Sequence, residues 1–199
     1  VKFSPDFSTK APSPPMGPQF EGDPKTNRSL IQALNGGTIR LRSNTLDNTD
    51  GVVRLDSGGT LRLYQSTLTG GLVNGMGDIL VETNNEHLLG PIEIGPNITT
   101  TTGTGGVLHL SGEITNNGTL AINDTSAGYA TLRLEDNTTL NGSGQVLFAS
   151  NDDNYFDSTD PAHLLTNGVN HTITTVPATL RGESRLRTKF LNLEIIEAR

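Results

Sequence analysis

The chain has 199 residues, of which 33% are hydrophobic and 5% aromatic, with 23 glycines and no tryptophan. Cysteine is absent, which excludes disulfide staples, thiol catalysis, thiolate metal sites and iron–sulfur clusters. A formal net charge of −7 and a pI near 5.0 argue against nucleic acid or an anionic membrane as the main partner, and no stretch reaches the ~18 apolar residues of a membrane-spanning helix.

The opening VKFSPDF lacks the apolar run of a signal peptide. Ser4 to Pro24 then holds six of the ten prolines: Pro5, Pro12, Pro14, Pro15, Pro18 and Pro24. Proline fixes φ and removes a backbone donor, so residues 1–34 are expected to be an extended arm or linker, ending in a possible N-terminal cap. Within that segment SLIQAL, Ser29 to Leu34, reads either as a short helical turn over the first coil or as an extended lead-in.

From residue 35 to residue 199 the pattern changes to short apolar alternations broken by Gly, Asn, Asp and Thr. The strand-like pieces are TIRL at Thr38, VVRL at Val52, TLRL at Thr60, DILV at Asp78 and PIEI at Pro91. They continue with VLHL at Val107, TLAI at Thr119, TLRL at Thr131, QVLF at Gln145, HTIT at His171 and LNLEII at Leu191. Alternation with period two buries one face and wets the other. The intervening NGG, DSGG, NGMGD, TNNG and NGSG are turn signals, and nothing between them is long and apolar enough for a crossover helix.

Two of these segments nearly repeat. GGTIRLRSNTLDN begins at Gly36 and GGTLRLYQSTLTG at Gly58, so that Thr38 and Thr60, Arg40 and Arg62, and Leu46 and Leu68 are each 22 apart. TLRL at Thr131 lies 71 residues beyond Thr60, and VLHL at Val107 lies 47 beyond it, close to three and two such units. A fixed period in this range is the signature of a solenoid. The expected fold is all-β: a right-handed parallel β-helix, or β-solenoid, with coils of about 22–24 residues. In it Ile39 and Leu41 stack on Leu61 and Leu63 inside, while Arg40 stacks on Arg62 outside.

LHLSGEITNNGTLAIND (Leu108 to Asp124) and ATLRLEDNTTLNGSGQVLFASNDDN (Ala130 to Asn154) carry a resemblance. They are similar to the repeats of filamentous-haemagglutinin-like and autotransporter-passenger-like bacterial adhesins. GVNHTITTVPATLRGESRL, from Gly168, is similar to the next element of that family, with Pro177 and Arg181 in place of its glycine-rich residues. The resemblance implies a β-helix in a secreted fibre or on a bacterial cell surface, and it implies no catalytic residues, because the family's repeat is structural.

The acidic corner NDDNYFDSTD supplies Asp152, Asp153, Asp157 and Asp160. Calcium takes oxygen ligands of this kind from loops, although the glycine and terminal glutamate of an EF-hand are missing; the competing expectation is a solvated turn. Tyr155 and Phe156 beside it read as a sugar-stacking platform or as a plug for the end of a coil. Arg40 and Arg62, joined by Arg54 and Arg133, read as a basic stripe for an acidic polysaccharide, or as surface charges neutralised by Asp47, Asp56 and Glu135. The run NITTTTGTGG (Asn97 to Gly106) does not recur once per coil, which speaks against a threonine array. His87, His109, His163 and His171 show no His-x-His or His-Glu-x-x-His spacing, so a zinc site is not expected from spacing alone.

The functional expectation is therefore a non-enzymatic spacer, fibre or cell-adhesion scaffold, extracellular or on a bacterial surface. No cofactor is expected unless calcium binds the acidic corner. Its partners would be neighbouring coils, copies of itself stacked end to end through the alternating strand FLNLEIIEAR, and glycans, with no membrane insertion. The rival is a polysaccharide-binding or polysaccharide-degrading β-helix, lyase-like, hydrolase-like or resembling a phage tailspike. Hydrolysis needs paired carboxylates, for which Asp152, Asp153 and Asp157 are the cluster to test. A lyase base is disfavoured because Lys2, Lys10, Lys25 and Lys189 are confined to the two ends of the chain.

Overall fold

The alternating segments become strands because each places a row of apolar side chains on one face and small or polar ones on the other. The computed structural model describes residues 16–82, 86–123, 129–148, 153–175, 189–192 and 196–198. Its strands are, in order, β1 (Met16–Glu21), β2 (Lys25–Thr26), β3 (Leu30–Ala33), β4 (Thr38–Arg42), β5 (Thr45–Asp47), β6 (Val52–Leu55) and β7 (Thr60–Tyr64). They continue as β8 (Thr67–Gly75), β9 (Asp78–Val81), β10 (Glu86–Ile94), β11 (Thr99–Thr102), β12 (Val107–Asn116) and β13 (Thr119–Ile122). The last are β14 (Tyr129–Asn141), β15 (Gln145–Phe148), β16 (Asp153–Ser158), β17 (Leu164–Asn167), β18 (Thr172–Thr175), β19 (Lys189–Asn192) and β20 (Ile196–Ala198). No helix occurs among the described residues.

Every strand pairing is parallel. A nine-stranded sheet runs β1-β4-β7-β9-β11-β13-β15-β18-β20, and an eleven-stranded sheet holds the remaining strands. The first sheet takes one strand from each coil in strict succession, which makes the chain a β-solenoid. Thr38, Thr60, Asp78, Thr99, Thr119, Gln145 and Thr172 stand above one another, so these six turns take 22, 18, 21, 20, 26 and 27 residues. The spread is wider than the 22–24 expected, and its causes are local. In the 18-residue turn, Gly70 and Gly71 replace the four-residue corner 48–51, and Met76 and Gly77 replace 56–59. In the long turns, two extra residues bulge out of β14 between Leu134 and Thr138, and a loop follows β16.

The core consists of columns that run along the solenoid. Leu46, Leu68, Leu88, Leu110 and Leu134 stack in register, all buried. On the opposite sheet Ile39, Leu61, Ile79, Thr100, Leu120 and Val146 form the corresponding column. One coil cannot bury such residues alone, but stacking at ~4.8 Å removes both its open sides from water. Ile39 and Leu41 indeed lie on Leu61 and Leu63, with Arg40 opposite Arg62.

Three details differ from the sequence reading. The ladder begins at Met16, inside the segment expected to be an arm: β1 pairs with β4, and its register shifts between Met16 and Gln19, where Pro18 has no donor to give. SLIQAL takes the extended of its two expected forms, but as strand β3 of the ladder itself and not as a lead-in before it, since Ile31 pairs with Val53 and Ala33 with Leu55. Its backbone is held by Val52 N–H to Ser29 and Asp56 N–H to Ala33, at 2.8 and 2.9 Å. Finally, TLRL at Thr131 and VLHL at Val107 stack on each other but belong to the second sheet, whereas TLRL at Thr60 belongs to the first. Their likeness reflects the same inside–outside alternation, not a shared column.

Candidate functional site

Outward residues of parallel strands also form columns, and these decide which polar side chains meet. Along the first sheet, Gln19, Arg40, Arg62, Leu80 and Thr101 follow one another. The arginine column is thus two residues deep. Arg62 Nε donates to Glu82 Oε1 at 2.7 Å, and Arg40 is exposed with no carboxylate partner among the described residues. Arg42 lies over the Tyr64 ring, 5.1 Å from its centroid. Together Gln19, Arg40, Arg42, Arg62, Tyr64 and Glu82 line a shallow concavity of ≈ 320 Å³. Arg54 and Arg133 do not extend this patch into a stripe, because both lie on the second sheet. There they pair with Asp56 at 2.9 Å and Asp157 at 3.2 Å. Asp47 accepts instead from the amide and hydroxyl of Thr49, which hold its carboxyl below the usual carboxylate range, the hydroxyl more strongly.

The acidic corner is only partly a corner. Asp152 lies outside the described residues, and Asp153 opens β16. Asp157 faces Arg133 across the ladder and is ion-paired with it. Asp160 caps the following turn, its carboxylate accepting from Ala162 N–H at 2.7 Å. Alternation along β16 turns Phe156 inward onto Leu132, where it is 8% exposed, so it is core and not a binding platform. Tyr155 faces outward and meets Tyr129 edge to face, with ring centroids 5.9 Å apart. Tyr129 is 49% exposed, giving a small aromatic patch that includes one of the two aromatic residues singled out from sequence.

A wider concavity of ≈ 570 Å³ lies where Asn117, Thr119, Ser143, Gln145, Thr172 and Thr174 converge. Its donors and acceptors are neutral amides and hydroxyls, and among the described residues its lining has no titratable side chain.

The cluster that spacing rules did not reveal is made by stacking. His87 on β10 lies in register with His109 on β12, and their rings stack with centroids 4.4 Å apart and an interplanar angle of 24°. His109 Nδ1 contacts Glu135 Oε1, whose residue sits in the bulge of β14. Ligand atoms of His87, His109 and Glu135 all lie within 4.8 Å of one another. Burial, and then the neighbouring His109, push the His87 imidazole below its usual range, opposed by Glu135 and Glu86. The sequence did carry a signal for this pair: His87 and His109 are 22 apart, the same offset as Arg40 and Arg62. His163 instead contacts Ser158 Oγ at 3.2 Å. His171 is buried, bonded through Nδ1 to Asn167 at 2.7 Å and through Nε2 to Asn116 at 3.0 Å.

Comparison of the chain with protein-family models, with curated proteins and with solved structures returned no match.

Proposed function

We propose that this chain is a structural segment of a secreted or cell-surface bacterial protein, a spacer or adhesive scaffold of the filamentous-haemagglutinin-like or autotransporter-passenger-like kind. The observation that carries this reading is the uninterrupted ladder of core columns from one coil to the next, which gives length and stiffness while leaving the outer columns free to vary. The repeat segments quoted above support the family, and the acidic net charge supports exposure to solvent without nucleic acid or membrane partners. End-to-end stacking of copies belongs to the same reading, because parallel coils pair through backbone groups alone.

A glycan-binding surface is the second reading. The groove lined by Asn117, Ser143, Gln145 and Thr172 favours it, since neutral amides and hydroxyls suit sugar hydroxyls. Among the described residues, neither of these two concavities presents the paired carboxylates that glycoside hydrolysis requires.

The test is incubation of the chain with neutral and acidic polysaccharides, with and without a calcium chelator, scoring retention on the glycan and release of reducing or unsaturated ends. No product release is expected. Turnover would replace the scaffold reading with a carbohydrate-active one, and chelator-sensitive retention would show that a bound cation takes part in glycan binding.

A further inference from the structure

We propose that His87, His109 and Glu135 form a binding site for a divalent transition-metal ion of the zinc class, held across three successive coils. The proposal is independent of the scaffold reading.

The geometry carries it. Tetrahedral coordination with bonds of ~2.0–2.1 Å places ligand atoms roughly 3.4 Å apart. The ligand atoms here already lie within 4.8 Å of one another, so side-chain rotation suffices and no strand need move. His87 and His109 are fixed by the register of β10 against β12, the next inward residues being Leu88 and Leu110 of the leucine column. Their rings are held side by side at 4.4 Å. Glu135 reaches the same point because β14 bulges there: two inserted residues let its carboxylate turn back over His109. A cation would take the place of the direct contact between His109 Nδ1 and Glu135 Oε1.

The chemistry agrees. Two imidazoles and one carboxylate suit borderline divalent ions, and a set of three protein ligands leaves a coordination position for solvent. The cation that follows His109 in the same outward column is Arg133. Its guanidinium is engaged by Asp157 at 3.2 Å, which lowers the repulsion a bound cation would meet. A bound ion would clip β10, β12 and β14 together, adding a cross-link along the solenoid axis to the ladder hydrogen bonds, stacked side chains and ion pairs that already join the coils.

The experiment uses the full 199-residue chain, stripped with a chelator, and titrates it with Zn2+ by calorimetry and with Co2+ by visible absorption. Expected are one equivalent of each metal and ligand-field bands of a low-symmetry Co2+ site. His87→Asn and His109→Asn should each weaken binding at least ~10-fold, as should Glu135→Gln, while His163→Asn leaves it unchanged. Proton–nitrogen imidazole spectra of the unaltered chain provide a readout that needs no variant to fold. Zn2+ should move the ring signals of two of the four histidines and leave those of His163 and His171 in place. The proposal is overturned if the folded chain takes up no Zn2+ saturably, if a folded His87→Asn/His109→Asn double variant binds as tightly, or if the signals of His163 and His171 are the ones that move.

Discussion

Thr100 lies between Ile79 and Leu120 in the inner column of the first sheet, and Thr102 between Val81 and Ile122. Both are fully buried, and neither hydroxyl has a hydrogen-bond partner among the described residues. A buried unpaired hydroxyl costs its desolvation without return, and valine has nearly the same shape and the same preference for strands. Thr100→Val and Thr102→Val are each expected to raise stability by about 1 kcal/mol, read as a higher urea midpoint at unchanged slope. A lower midpoint in both would mean that the hydroxyls are satisfied. His171 sets a second residue-scale effect. Burial lowers its pKa to about 4, whereas a histidine in an unfolded chain titrates near ~6.5. Between those values the unfolded chain holds the extra proton. The neutral imidazole's contribution is therefore complete above the unfolded pKa and is lost as the pH falls toward the folded one. The loss is on the order of 3 kcal/mol in total. Urea unfolding of the wild type and of His171→Gln should show a steeper decline on acidification where His171 is present. His87 titrates in the same direction, so the comparison must be between these two proteins, and equal slopes would dismiss the idea.

Corners, more than strands, determine how the coils fit. At Gly71 φ is +70°, and a Cβ there would lie 1.9 Å from the carbonyl oxygen of Asn48 in the coil below. This is how the 18-residue turn closes with two residues where its neighbour spends four. Gly71→Ala must both enter the left-handed region and push the Asn48 corner aside. We expect a loss of at least ~3 kcal/mol or failure to fold, against a change within ~0.5 kcal/mol for Gly103→Ala, whose Cβ meets nothing within 4 Å. Thermal melts of the two variants decide it, and equal melting temperatures would show that the corner relaxes. The strands were legible in the sequence because alternation is local, and TIRL, VVRL, TLRL and DILV all became strands. The threonine run was not recognised as β11, because a column position filled by Thr100 and Thr102 gives no apolar signal. Nor were the left-handed corners at Ser43 and Gln65 legible, with φ of 47° and 49° at residues that lie in none of the turn signals. The candidate metal cluster was half legible. His87 and His109 share the 22-residue offset, but Glu135 joins them only through the bulge in β14, and no periodicity announces a bulge.

At the scale of the whole molecule, the strands of each coil pair only with those of the coils above and below it, so stability should be nearly a sum of coil and interface contributions. That property makes the solenoid testable by length. The joints GGT at Gly36–Thr38 and GGT at Gly58–Thr60 are identical, and residues 38–59 form one complete turn that stacks in register on the next. A second copy of residues 38–59 inserted between Gly59 and Thr60 therefore meets the same backbone at both junctions. Its Arg40 should be changed to Thr, the residue found at position 101 of the same outward column, so that no third guanidinium joins a stack whose one carboxylate partner among the described residues is Glu82. The lengthened chain is expected to extend by ~4.8 Å along its axis in solution scattering, to gain parallel-strand amide signal, and to unfold in a single transition with a steeper urea dependence. A separate early transition, or an insert that is cut by protease while the rest survives, would show that coils 38–59 and 60–77 depend on their own sequence partners more than on the shared ladder. A single steeper transition would mean that the repeat itself, carried by Ile39, Leu41, Leu46, Val53 and Leu55 on the inside, is sufficient to build the rod.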